Sequence, residues 1–257
     1  MPFALITGAS KGIGKAIAEL LAVRGYDLLL VARSSDLLEQ VSKEINHATN
    51  QDCRWLALDL SEEDAADKVF EWCNSNQFEI AVLVNNAGYG LSGSFEKYSV
   101  TEHSKMLQVN IMTLTKLTHL FLPVLHKQAQ GYILNIGSTS AYQALPYLSA
   151  YAASKAYVLT FSRGLYHELK NTNVSVTCIC PGPTDTNFVN RANIGARALK
   201  AAERVNMSPK VVARIAVNSM FKRRPEVITG GVNKLSAFFA WLLPKSLIEN
   251  IAKNLYD

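Results

Sequence analysis

Phe3-Ala4-Leu5-Ile6-Thr7-Gly8-Ala9-Ser10-Lys11-Gly12-Ile13-Gly14, followed by Lys15-Ala16-Ile17-Ala18-Glu19-Leu20-Leu21-Ala22, is the stretch that decides the fold. Residues 3–6 are an apolar run with no polar partner, which reads as a strand buried on both faces. Residues 15–22 carry a helical spacing of apolar positions, and Gly25 is a natural stop. Between them lies a glycine-rich turn. Strand, glycine turn and helix together suit a dinucleotide: glycines let the backbone approach a pyrophosphate, and a helix N-terminus offers N–H groups and a positive dipole end. The alternative is a glycine-rich turn that holds no ligand.

Working outward, apolar runs alternate with helix-length segments. The runs are Asp27–Ala32, Trp55–Leu58, Ile80–Val84, Tyr132–Ile136, Val174–Cys180 and a weak Val227–Thr229. The segments Glu102–Gln128 and Ala150–Lys170 are long enough for single crossover helices. This is the pattern of an α/β fold with one doubly wound parallel sheet and helices on both faces. Functional residues then belong just past the carboxyl ends of the strands. A chain of 257 residues fits one such domain, with residues 187–257 as a covering segment and tail within it, and no linker, repeat or low-complexity tract divides it.

Hydrophobic content of 49 % supports a sizeable core. The net charge of +5 is modest, and no basic stripe interleaved with aromatics points to nucleic acid. The four cysteines lack Cys-x-x-Cys spacing and the five histidines form no His-x-x-x-His pair, so no metal site is expected. Cys178 and Cys180 share one face of a strand and read as buried thiols. A buried strand starting at residue 3 leaves no room for a signal peptide, which leads to the expectation of a cytoplasmic protein.

Tyr151 and Lys155 stand one helical turn apart in Tyr151-Ala152-Ala153-Ser154-Lys155, so they project from one face. An always-cationic amine there would stabilise a phenolate and lower the tyrosine pKa from about 10, giving an acid/base usable near neutral pH. Alone, the pair is more often an ordinary solvated helix face. Its company changes the reading. Thr7 to Gly14 with Gly-x-x-x-Gly-x-Gly spacing, Asn85-Asn86-Ala87-Gly88, Asn110, Ser138, Tyr151, Lys155 and Pro181-Gly182-Pro183-Thr184-Asp185-Thr186 together resemble the short-chain dehydrogenase/reductase family, in order and approximate spacing, over about residues 3–190.

The resemblance implies a hydride-transfer oxidoreductase acting on a small carbonyl or alcohol. Ser138 would donate a hydrogen bond to the carbonyl oxygen, and Tyr151 would give or take the proton. Lys155 would tune Tyr151 and hold nicotinamide-ribose hydroxyls, and Asn110 would hold a relay water. Asparagine is a poor helix-interior residue; without the resemblance, an exposed helical asparagine is an equal reading. Cofactor contacts carry over to Gly8, Ser10, Lys11, Gly12, Ile13 and Gly14 in the cradle. They carry over also to Asp59 and Leu60 at the adenine edge, to Asn86, Ala87 and Gly88 at the ribose, and to Pro181, Gly182, Thr184 and Thr186 at the carboxamide. Asp59 has an alternative as a helix cap ahead of Ser61-Glu62-Glu63.

The second strand ends in Ala32-Arg33, with alanine where relatives that prefer NAD carry an acid. A guanidinium without a neighbouring acid can pair with a 2′-phosphate, and Lys11 could add a second charge, so the expected cofactor is NADP(H). The competing reading is a surface arginine and lysine of no consequence. A protein of another class, an NADP(H)-binding sensor or scaffold without turnover, competes with the enzyme.

Beyond Asn187 the chain is individual. Arg191–Asn206 reads as helical and substrate-covering, and Ser208-Pro209 as a new helix start. The tail carries Leu235, Phe238, Phe239, Trp241, Leu242, Leu243, Leu247, Ile248 and Ile251, too short an apolar run for a membrane span. It could pack on the domain or a second subunit, wall a pocket for an apolar substrate, or lie on a membrane surface. The resemblance implies a homodimer or homotetramer built through the helices near residues 102–127 and 150–170.

Overall fold

The computed structural model describes residues 1–184 and 206–256. Seven strands form one parallel sheet in the order β3-β2-β1-β4-β5-β6-β7. They are β1 (Phe3–Thr7), β2 (Asp27–Ala32), β3 (Cys53–Ala57), β4 (Ile80–Asn85), β5 (Gly131–Ile136), β6 (Val174–Cys180) and β7 (Glu226–Ile228). The strands alternate between two cores, save at the start of β4, where a register shift against β1 sends Ile80 to the same side as Leu83. Ala4, Ile6, Leu28, Leu30, Val82 and Val84 face one layer, built with α1 (Gly12–Val23), α2 (Ser35–Ala48) and α7 (Pro209–Phe221). Leu5, Leu29, Val31 and Leu83 face the other, built with α3 (Ala65–Ser75) and α5 (Leu114–His126). A period of two on a sheet covered on both sides is why the strands read as unbroken apolar runs. The chain order reverses between β1 and β4, which opens a crevice beyond their carboxyl ends.

The expected helix over Glu102–Gln128 is not continuous. α4 (Val100–Leu107) opens with a capping box, in which Ser99 and Glu102 satisfy each other's backbone N–H, and then widens into a π-helical turn over Gln108–Thr113 before α5 begins. Such a turn adds a residue to the helical repeat and re-aims the side chains it carries. The second crossover is continuous as α6 (Ser149–Glu168). Ser208 caps α7 by accepting the Val211 N–H, with Pro209 at the first helical position. Two more helices, α8 (Gly231–Leu242) and α9 (Lys245–Tyr256), finish the chain.

Candidate active site

The glycine turn leaves β1 with Gly8 at φ +66° and Gly12 at φ +61°, a region glycine enters freely. Gly14 is needed for closeness. A Cβ there would run into the Gly8 carbonyl oxygen and the Asn86 amide. The turn is pinned by Thr7, whose Oγ1 donates to the Val84 carbonyl at 3.2 Å and accepts the N–H groups of Asn86 and Ala87 at 3.0 and 3.1 Å. Asn86 in turn donates from Nδ2 to the carbonyls of Thr7 and Gly8 at 2.9 and 3.1 Å. The Asn86 side chain therefore braces the turn itself. Among the described residues no side chain caps the first turn of α1, and no acid stands in that turn, so its N-terminus carries no anion of its own.

Asn110 sits inside the π-helical turn and is 1 % exposed, so the reading as an exposed helical asparagine fails. Its Nδ2 donates to the Tyr89 carbonyl at 2.9 Å and to Ser154 Oγ at 3.0 Å, and its Oδ1 accepts the Tyr89 N–H at 3.1 Å. Tyr151 and Lys155 are both buried on α6, with the Lys155 ammonium 5.9 Å from the centre of the Tyr151 ring. Lys155 Nζ donates to the Ile136 carbonyl at the end of β5, at 2.9 Å. A methyl group on Gly88 would lie 3.1 Å from Asn110 Oδ1 and 3.3 Å from Lys155 Nζ. Asn110, Gly88, Tyr151 and Lys155 thus form one cluster at the mouth of β4 and β5.

Ser138, two residues beyond β5, is buried, and its Oγ accepts the Ser140 N–H at 3.1 Å at the head of a short 3-10 turn, Thr139–Tyr142. A hydroxyl oxygen used as an acceptor still has its hydrogen to donate. The next N–H, of Thr139, reaches the Pro181 carbonyl at 2.8 Å and ties this turn to the end of β6. There Thr184 Oγ1 donates to the Gly182 carbonyl at 3.0 Å, and a Cβ on Gly182 would collide with Asn233 of α8. Thr186 lies outside the described residues, as does all of 191–206 except its last residue.

Burial changes one expectation. Desolvation lowers Lys155 to about 8, only partly offset by the nearby Cys178 and Cys180 sulfurs. The amine is therefore a titratable neighbour of Tyr151, not a permanently charged one. Anionic groups bound beside it would raise it again. The two thiols lie 3.9 Å apart under Gly137, buried on one strand face as the spacing indicated.

At the other end of the crevice Arg33 and Asp59 meet at 4.0 Å, both partly exposed. Asp59 Oδ1 accepts the Ser61 N–H at 3.0 Å in a local turn, and α3 starts only at Ala65, so Asp59 caps no helix. Burial pushes the Asp59 carboxyl up, but the Ser61 bonds and the Arg33 charge outweigh it and hold it below the ordinary carboxylate value. Leu60 is buried, its carbonyl accepting Thr113 Oγ1 at 2.8 Å. Lys11 is exposed just ahead of α1.

Four residues were not singled out from the sequence for the site: Thr7, Tyr89, Ser154 and Asn233. Thr7 and Ser154 were inside the quoted motifs, and a polar side chain within a buried motif was the available signal. Tyr89 acts through its backbone, and Asn233 comes from a distant helix, so neither left a local trace.

The family model for short chain dehydrogenases matches residues 2–196. A 7beta-hydroxysteroid dehydrogenase of Clostridium sardiniense is 37 % identical over 182 residues, 71 % of this chain and 69 % of that one. A very-long-chain 3-oxoacyl-CoA reductase of Mus musculus is 37 % identical over 185 residues, 70 % of this chain but only 58 % of that protein's length. Among solved structures, a short-chain dehydrogenase from Sphingobium yanoikuyae in complex with NADPH superposes with a TM-score of 0.83 at 28 % identity, covering 96 % of this chain and 95 % of that one. A reversing parallel sheet, a glycine turn at its switch point and a family match over most of the chain lead to one statement: this protein belongs to the short-chain dehydrogenase/reductase family.

Proposed function

We propose that the protein is an NADP(H)-dependent oxidoreductase that interconverts a carbonyl and a secondary alcohol, with Tyr151 as the acid/base. The observation that carries this reading is the buried Asn110–Tyr151–Lys155 cluster beside a glycine turn whose helix has no acid in its first turn. The crevice suits a dinucleotide, since Gly14 has no room for a side chain and no acid stands in the first turn of α1. Gly8 to Gly14 would hold the pyrophosphate, and Arg33 and Lys11 the 2′-phosphate. Asp59 and Leu60 would flank the adenine, Ala87 and Gly88 the ribose, and Pro181, Gly182 and Thr184 the carboxamide. A reduced nicotinamide bound there would supply the hydride.

The chain's own residues do the rest. Ser138 donates to the substrate oxygen and orients it. Tyr151 donates its phenolic proton to that oxygen as carbon is reduced, and takes it back in the oxidation. A charged Lys155, fixed on the Ile136 carbonyl, makes the phenolate easier to form. Asn110 keeps Ser154 and the Tyr89 segment in place around it. Met106, Leu145 and Leu148 pack with Tyr151 inside the protein and hold its ring; the substrate itself is expected to have an apolar body. The steroid and long-chain acyl substrates named for two relatives have that character.

The test is NADPH consumption across aldehydes, ketones, sugars and acyl thioesters, run beside NADPH titration. Turnover of at least one apolar ketone is expected. Tight cofactor binding with no turnover in any class would replace the enzyme with a cofactor sensor. For the 2′-phosphate, Arg33→Ala is expected to weaken NADPH by about 10- to 100-fold, as loss of a charge-assisted contact worth about 1.5–3 kcal/mol implies, and to leave NADH nearly unchanged. Equal losses by fluorescence titration would remove Arg33 from that role.

A further inference from the structure

We infer that the α8–α9 hairpin is a docking surface for an anionic lipid bilayer, with both helices lying in the plane of the membrane. α8 is apolar on nearly every side, a character that soluble proteins keep for covered helices. Only a thin seam of it is covered here. Asn233 and Ala237 are buried, and Asn233 Nδ2 donates to the Thr229 carbonyl at 2.7 Å. Leu235, Phe238, Phe239 and Leu242 are exposed, and Trp241 is 79 % exposed. The aromatic rings form a continuous group, Phe238 lying 5.8 Å from Phe239 and 6.2 Å from Trp241 between ring centres. After Pro244, α9 is amphipathic: Leu247 and Ile251 are exposed on one arc, Lys245, Glu249 and Lys253 fall on the opposite arc, and the buried Ala252 stands next to Lys245.

Charge selects the occupant. On the hairpin itself, Lys234, Lys245 and Lys253 stand against Glu249 among the described residues, a net positive balance. All three lysines are exposed. An apolar face carrying a tryptophan and ringed by lysines matches the boundary between acyl chains and anionic headgroups. A second copy of the chain fits worse, because twofold pairing through this face would set the same lysines against each other. Each helix has 12 residues, and among the described residues no helix is long and apolar enough to cross a membrane, so the contact is interfacial. Ala252 of α9 also packs in the apolar cluster that holds Tyr151, so the hairpin links this surface to the neighbourhood of the site.

The test is flotation of the full chain with vesicles of phosphatidylcholine alone and of phosphatidylcholine with phosphatidylserine. Partition onto the anionic vesicles is expected to exceed that onto neutral ones about tenfold at low ionic strength and to fall as salt is raised. A combined Phe238→Ser, Phe239→Ser and Trp241→Ser variant should lose that partition about tenfold with an unchanged melting temperature, since the three side chains are exposed. Absence of partition, or equal partition onto both vesicle types, would overturn the proposal. So would a doubled mass in light scattering that the triple variant returns to the monomer value, which would make the face a contact between copies.

Discussion

Tyr151→Phe is expected to lower kcat for NADPH-dependent ketone reduction by about 10²–10⁴, the range for loss of a positioned proton donor. The same change should leave NADPH affinity within about threefold, because the ring keeps its place among Met106, Leu145 and Leu148 and only the hydroxyl is lost. The two readouts separate chemistry from binding. Steady-state rates of the variant equal to wild type would remove Tyr151 from the acid/base role, whatever the state of the cofactor crevice.

The second large effect belongs to the glycine turn. Gly14→Ala puts a methyl group against the Gly8 carbonyl and the Asn86 amide, and both are held: Asn86 by its bonds to Thr7 and Gly8, Gly8 by the bond of its N–H to the Val31 carbonyl at 2.7 Å. Backbone that is braced from both sides cannot relax cheaply, so unfolding in urea should show a loss of about 3 kcal/mol, at the upper end of overpacking costs. NADPH affinity should fall about tenfold or more, since any shift that admits the methyl also moves the cradle. A variant with wild-type stability and affinity would show that the turn is not packed in this way in solution.

The parts of the fold that were legible in the sequence are those written in local pattern. β2 (Asp27–Ala32) and β6 (Val174–Cys180) could be bounded to the residue, because a parallel strand covered on both faces is an unbroken apolar run. The start of α7 was readable from Ser208-Pro209. What was not legible depends on depth and on wide spacing. Nothing in Gln108–Thr113 marks a π-helical turn, so the inward aim of Asn110 could be expected only from the resemblance and from asparagine being a poor helix-interior residue. The pull of Asp59 on Arg33 joins the ends of two strands, and the lowered pKa of Lys155 follows from how much water its neighbours exclude. Neither is a property of residue order. The exposed face of α8 is a similar case: its apolar run was plain in the sequence, whereas how much of it the rest of the chain covers depends on tertiary packing.

The central claim is that Lys155 makes Tyr151 acidic enough to move a proton during hydride transfer. The pH dependence of alcohol oxidation at saturating NADP⁺, compared between wild type and Lys155→Met, tests it most directly. Oxidation needs the phenolate, so its rate rises with pH through the apparent pKa of the coupled pair. Removing the amine's positive charge should move that midpoint upward by about one unit or more, toward the ordinary tyrosine value of about 10. Coincident midpoints in the two proteins would contradict the account.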